Sequence, residues 1–242
     1  MDVPVTPFKD YPDALNIIGR RLELGQKTMV AAVNPEKVYR AQREQRLKDV
    51  LQNAEIGLCD GIGTVIAAYI LHGLAVRRIT GIQLFLDLMG RAETCGWRIF
   101  LLGASPESSE VAAARLKVIH PGLCIVGCQD GYFEDSEAVV ARINESRAQM
   151  LFVAMGSPRQ EFWIAEHRAQ IDAPFCMGIG GTLDVLSGHA RWAPKFFRVT
   201  GTEFLYRLLC DPRRWRRQLV LPLFLLNVIK AKLTGTKNRQ EQ

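Results

Sequence analysis

Along the first 190 residues, short apolar runs rich in β-branched side chains alternate with longer stretches of helical period. The runs Thr28–Val33, Ile56–Cys59, Arg98–Leu102, Leu123–Val126, Met150–Met155 and Phe175–Ile179 read as strands. Between them, Tyr11–Leu24, Pro35–Asn53, Gly61–His72, Ile82–Cys95, Pro106–Ile119, Ser136–Arg147 and Pro158–Gln170 repeat their apolar positions with helical spacing. Strands separated by helices of this length predict βαβ units: an α/β, Rossmann-like fold with a mostly parallel sheet covered by helices on both faces. Glycine-rich or polar turns follow four of the strands, namely DGIG, GASPES, MGSPRQE and GIGGT. Ligands of open α/β sheets bind outside the carboxyl ends of the strands, so these turns are expected to share one crevice. At Arg191 the alternation stops. The expected organisation is a body over 1–190 and a basic, aromatic, helical appendage over 191–242.

Composition narrows this picture. The chain has 242 residues, 48% hydrophobic and 23% charged, which excludes a disordered, collagen-like or polytopic membrane protein. The net charge of +6 is concentrated at one end: residues 191–242 hold 12 Lys and Arg against three Asp and Glu. Such a tail prefers anionic partners such as phosphates, acidic headgroups or nucleic acid. Six cysteines without a CxxC pair read as reduced, mostly buried thiols of a cytosolic protein. The N-terminus has no apolar signal core. The run Leu219–Ile229 contains Pro222 and Asn227 and is too short to span a bilayer of about 30 Å. It suits the surface of one.

The turns carry the candidate chemistry. Asp60 and Gly61 follow the second strand, where glycine lets a phosphate or sugar approach the backbone and a helix N-terminus favours anions. Asp60 reads either as a helix N-cap or as a general base aimed into the crevice. Asn34 reads as a helix start before Pro35, or as an amide that holds a sugar or uracil group. Gly103 and Gly156 open Ser-Pro turns whose N–H groups and hydroxyls suit phosphate oxygens, and Arg159 and Gln160 add polar groups to the second. Asp130 lies in a turn after the fourth strand, and Gly180 in a loop read as a close approach or a packing requirement. In the appendage Arg207, Arg213, Arg214, Arg216 and Arg217 are interleaved with aromatics. They read as a solvated face, a nucleic-acid contact, an interfacial membrane segment or a clamp on a diphosphate. The apolar stretch that follows favours the membrane over nucleic acid. There is no Walker A loop, GxSxG, HExxH or Asp-x-Asp pair, and the four histidines show no ligand spacing, so neither a cofactor nor a metal is expected.

Eight ordered segments then acquire a common meaning: VNPEK (33–37), CDGIG (59–63), RRITG (77–81), FLLGASPE (100–107), QDGYF (129–133), VAMGSPRQE (153–161), MGIGGTLDVLSGHARWAP (177–194) and EFLYRLLCDPRRWRRQ (203–218). Together they resemble the WecG/TagA/CpsF family of bacterial glycosyltransferases, in register from about residue 28 to 218. The resemblance implies an inverting, metal-independent enzyme. The donor would be a UDP-sugar carrying N-acetylmannosamine, its uronic acid or a related hexose. The acceptor would be a sugar on undecaprenyl diphosphate at the inner face of the cytoplasmic membrane, where the chain would be a peripheral protein of cell-surface polysaccharide assembly. By resemblance Asp60 is the base and Gln160 lies near a reacting sugar. Arg78 binds substrate, and Arg207, Arg214 and Arg217 complete the site when the appendage docks. The family often self-associates, which makes a homo-oligomer an expectation. Two positions depart from the common pattern, Ala32 where many members carry Thr and Gln83 where many carry Asp. Both bear on the sugar more than on the reaction.

Two other functional classes compete with this reading. A non-catalytic nucleotide-binding module at the membrane keeps the crevice and the tail but has no need of Asp60. A nucleic-acid binder would use the tail, but the near-neutral to acidic body argues against it.

Overall fold

In the computed structural model, β1 (Thr28–Val33), β2 (Ile56–Cys59), β3 (Ile99–Gly103), β4 (Ile125–Gln129), β5 (Met150–Ala154) and β6 (Phe175–Gly178) form one sheet. Its order is β2-β1-β6-β5-β3-β4 and every pairing is parallel. The structure describes residues 3–211, 215 and 219–240; the side chains of Arg207 and residues 235–240 are not included. The α/β architecture expected from the alternation is therefore present.

Both faces of the sheet are covered, and the period-two geometry of strands decides which residue faces which layer. Val30, Leu101, Phe152 and Met177 pack with α1 (Tyr11–Glu23), α5 (Gly81–Cys95) and α6 (Pro106–Ile119) through Ile18, Phe85, Leu88 and Leu116. Their neighbours Met29, Phe100, Leu151 and Cys176 face the other way. There they meet α3 (Gln45–Gln52), α7 (Ser136–Glu145) and α8 (Arg159–His167) through Leu47, Leu51, Ile143 and Ile164.

Three expectations need correction. The single helix over Pro35–Asn53 is two, α2 (Pro35–Ala41) and α3. Ala41 and Leu47 are six residues apart, so an unbroken helix would turn them about 240° from each other. The break at Gln42–Glu44 brings both onto the same core. The fourth strand begins at Ile125 and runs to Gln129, later than its apolar run suggests, because it is the sheet edge and is half-buried throughout. A short helix, α9 (Thr182–Ser187), follows β6 where no element is expected.

The remaining helices are α4 (Ile62–His72), α10 (Lys195–Thr200), α11 (Glu203–Cys210) and α12 (Val220–Gln240). Pro222 falls in the first turn of α12, where its missing N–H interrupts no helical hydrogen bond. α12 lies on the body against α2 and α4, with Phe224 and Val228 buried among Val33, Val38 and Ala67. Among the described residues no helix is long and apolar enough to cross a membrane. We expect Phe224→Ala to destabilise the protein by about 3–5 kcal/mol through the cavity it leaves. Exposed Leu226→Ala should stay within about 0.5 kcal/mol. Paired thermal melts check this, and equal melting temperatures would show that α12 is not part of the folded core.

Candidate active site

Because all six strands are parallel, their carboxyl ends lie along one rim, and the turns that follow are tied to one another across it. Asp60 N–H donates to the Val33 carbonyl (2.9 Å), fastening the β2 turn to β1. Ala104 N–H donates to the Ala154 carbonyl (2.8 Å), and Gly131 N–H to that of Ala104 (2.9 Å). An Arg159 guanidinium N–H reaches the Gly131 carbonyl (3.3 Å). These bonds tie the turn after β3 to those after β4 and β5, and the Asp60 turn to β1.

The geometry places both helix caps. Asp60 is not the cap of α4: Gly61 holds the N-cap position, without a side-chain cap hydrogen bond. The carboxylate instead precedes the helix, where the chain leaves the sheet. Asn34 is the N-cap of α2, its Oδ1 accepting from Lys37 N–H (2.9 Å). No described residue accepts from its Nδ2, so the cap leaves the amide donor available on the rim. The two turns pack closely: a Cβ on Gly63 would stand 2.6 Å from Pro35 Cγ and 3.1 Å from Leu221 Cδ1. Glycine at 63 therefore lets α12 approach the turn that carries Asp60.

Asp130 sits apart. β4 is five strand spacings from β2, about 24 Å at ~4.8 Å each. Its Oδ1 accepts from Tyr132 N–H (2.8 Å), the plain turn that the sequence also allows. Gly180 has a φ of +55° with no atom near the position of a Cβ, so glycine there serves the backbone conformation and leaves the crevice open.

Gln160 is buried, and both ends of its amide are occupied. Its Oε1 accepts from Gly180 N–H (2.9 Å) and its Nε2 donates to Glu161 Oε1 (3.0 Å). Glu161 in turn pairs with Lys37 Nζ at 2.6 Å, with side-chain exposures of 1% and 7%. This chain joins the turns after β1, β5 and β6 beneath the rim. Lys37 and Glu161 lie inside recognisable motifs, but 124 residues separate them. Their pairing has no signature in a single sequence.

Arg78 stands between the Asp60 turn and the appendage. It pairs with Glu203 (3.1 Å) and donates to the Arg198 carbonyl, while Gly201 packs on Ile62. Burial pushes the Cys59 thiol up to about 12; the Asp60 charge adds to the rise and Arg78 opposes it. That thiol is un-ionised at neutral pH and offers no nucleophile. All six cysteines are free; Cys59 and Cys176 are buried, whereas Cys95 and Cys210 are exposed, contrary to the expectation of general burial. Arg207 lies on α11, directly beyond the Arg78–Glu203 pair, with its side chain undescribed. Arg213, Arg214, Arg216 and Arg217 lie outside the described residues.

An N-acetylglucosaminyldiphosphoundecaprenol N-acetyl-beta-D-mannosaminyltransferase of Bacillus spizizenii (strain ATCC 23059 / NRRL B-14472 / W23) is 35% identical over 216 residues, covering 89% of this chain and 84% of the relative. The sequence profile described as "Glycosyl transferase WecG/TagA/CpsF family" matches residues 1–238. The order of turns along the rim and the match over nearly the whole chain lead to one conclusion: this chain belongs to the WecG/TagA/CpsF family of glycosyltransferases.

Proposed function

We propose that the chain moves a hexose-type sugar (N-acetylmannosamine, its uronic acid or a related hexose) from a UDP-sugar to a sugar carried on a polyprenyl diphosphate, with inversion and without a metal. The observation that carries this reading is the position of Asp60, a carboxylate on the rim that is not the cap of its helix. The bacillar relative, named for transfer to such an acceptor, supports the substrate class. The β-linkage in its name is what a single displacement on an α-linked donor produces.

In this reading Asp60 takes the proton of the acceptor hydroxyl as its oxygen attacks the anomeric carbon. The bond from that carbon to the UDP oxygen breaks on the opposite face. General-base assistance of this kind contributes about 10²–10⁴-fold. The leaving diphosphate gains negative charge, which Arg207, Arg214 and Arg217 neutralise when the appendage closes on the rim. The ties between Arg78 and the 198–203 segment support such a closure. Asn34 and the backbone at Gly61, Gly103, Gly156 and Gly180 line the donor's path. Only the far, nucleoside end of an extended donor would reach Asp130. Gln160 acts as a positioning residue, holding the Gly180 turn from below.

A peripheral place on the membrane completes the proposal. Leu219, Leu223, Leu226 and Leu233 are exposed along one side of the C-terminal segment, opposite buried Phe224 and Val228, with Lys230 and Lys232 nearby. Each basic residue near an anionic leaflet adds about 1 kcal/mol of attraction.

The test is UDP release from a panel of UDP-sugars, with and without a lipid-diphosphate-linked N-acetylglucosamine acceptor. We expect one donor to give acceptor-dependent release and a β-linked product. A protein that binds UDP yet releases none with any donor and acceptor pair would favour the nucleotide-binding module instead.

A further inference from the structure

A groove of about 710 Å³ opens beside the Asp60 turn, and none of Gly61, Gly103, Gly156 and Gly180 is among its described lining residues. One wall is α4, α5 and the segment leading into α5; the other is the start of the appendage, from Trp192 to Glu203. Ile62, two residues beyond Asp60, lines it, as do Val65, Val76 and Val199. The groove is therefore partly apolar and adjoins the proposed base.

Its charge is asymmetric. Arg77, Arg78, Lys195 and Arg198 face Asp87 and Glu203. Glu203 is held by Arg78, and Asp87 accepts from Gln83 Nε2 (2.9 Å). Arg77 and Lys195 are exposed and make no ion pair or hydrogen bond among the described residues. In the appendage wall Arg198 stacks over the Trp192 ring at 4.0 Å. Arg198 Nε and Trp192 Nε1 are buried donors without an acceptor among the described residues. Buried donors are ordinarily satisfied, so this wall lacks acceptors rather than donors. The N-terminus of the 15-residue helix α5 also meets the groove at Thr80, Ile82 and Gln83, adding partial positive charge. Uncommitted cations, donors short of acceptors and apolar flanks together describe a site for an amphiphilic anion.

We propose that this groove binds the prenyl-diphosphate portion of the acceptor, with Arg77, Lys195 and the Arg198–Trp192 wall on the diphosphate and Val65, Val76 and Val199 along the first isoprene units. This rests on the transfer reaction proposed above and adds where its lipid-linked substrate sits. The donor's diphosphate stays on the glycine-lined rim, so donor and acceptor approach Asp60 from different sides.

The experiment uses the full chain and the double variant Arg77→Ala/Lys195→Ala; both residues are exposed, so the fold is retained. Lys117→Ala on α6 serves as a charge-matched control. With farnesyl-diphospho-N-acetylglucosamine as acceptor, the double variant should raise the acceptor KM by about tenfold or more, as loss of charge-assisted contacts implies. Donor KM and UDP affinity should change less than twofold. In parallel, calorimetry with farnesyl diphosphate and with inorganic pyrophosphate should show the prenylated ligand binding more tightly to the wild type and weakening in the double variant. An unchanged acceptor KM, or an equal rise in donor KM, overturns the proposal. If the wild type transfers no sugar, the reaction itself is wrong, and calorimetry then decides the groove alone. Farnesyl diphosphate binding lost in the variant upholds it, and no binding to the wild type overturns it.

Discussion

Asp60→Asn is expected to lower acceptor-dependent turnover by about 10²–10⁴-fold while donor affinity changes less than threefold. The substitution keeps the side chain's size and removes the group that receives the acceptor's proton. Asp60 does not cap α4, so the helix start does not depend on its charge. The Asp60 N–H bond to the Val33 carbonyl is a backbone contact and survives the change. The fold and the rim should therefore remain, which circular dichroism and UDP titration check directly. The pH profile is the second readout: a limb present in the wild type from a carboxylate base should disappear in the variant. Turnover within threefold of wild type would remove Asp60 from the chemistry and leave the strand-end crevice as a binding site.

The second large effect concerns stability. Lys37→Met leaves Glu161 as a buried carboxylate without its cation, and its Oε2 already has no partner among the described residues. Breaking one side of a buried pair costs about 3–5 kcal/mol. For a chain of this size that lowers Tm by roughly 6–20 °C. Replacing both partners, as Lys37→Met/Glu161→Gln, should recover most of the loss because the remaining groups are neutral. Since Glu161 also accepts from Gln160, which holds the Gly180 N–H, the single variant should lower kcat as well as Tm. A single variant melting within 2 °C of wild type would mean that the pair does not hold the rim together.

Much of the architecture was legible because it follows local rules. The apolar runs and helical periods placed all six strands and most helices, since a parallel sheet covered on both faces demands continuous apolar strands. The errors fell where packing overrides periodicity. The break between α2 and α3 exists because Ala41 and Leu47 must reach the same core, and the edge strand β4 runs past its apolar residues to Gln129 because it is only half-buried. At the site, the glycine turns were readable as strand ends, but Asp60 and Asn34 each kept two meanings. The observed caps add what the sequence lacks: Gly61 holds the cap position at α4, and Asn34 that at α2.

By itself, the sequence determined the order of the strands along the chain, the turns that end them, the basic character of the tail and, through eight ordered motifs, the family. These are properties of neighbours in the chain, governed by backbone geometry and side-chain periodicity. The tertiary structure alone decided which distant residues meet. It paired Lys37 with Glu161 beneath the rim, set Asp130 about five strands from Asp60, laid Phe224 of α12 into the body, and closed a groove between Arg77 and Lys195. The physical reason is that burial and electrostatic pairing depend on separation in space, which parallel crossovers create between residues far apart in sequence.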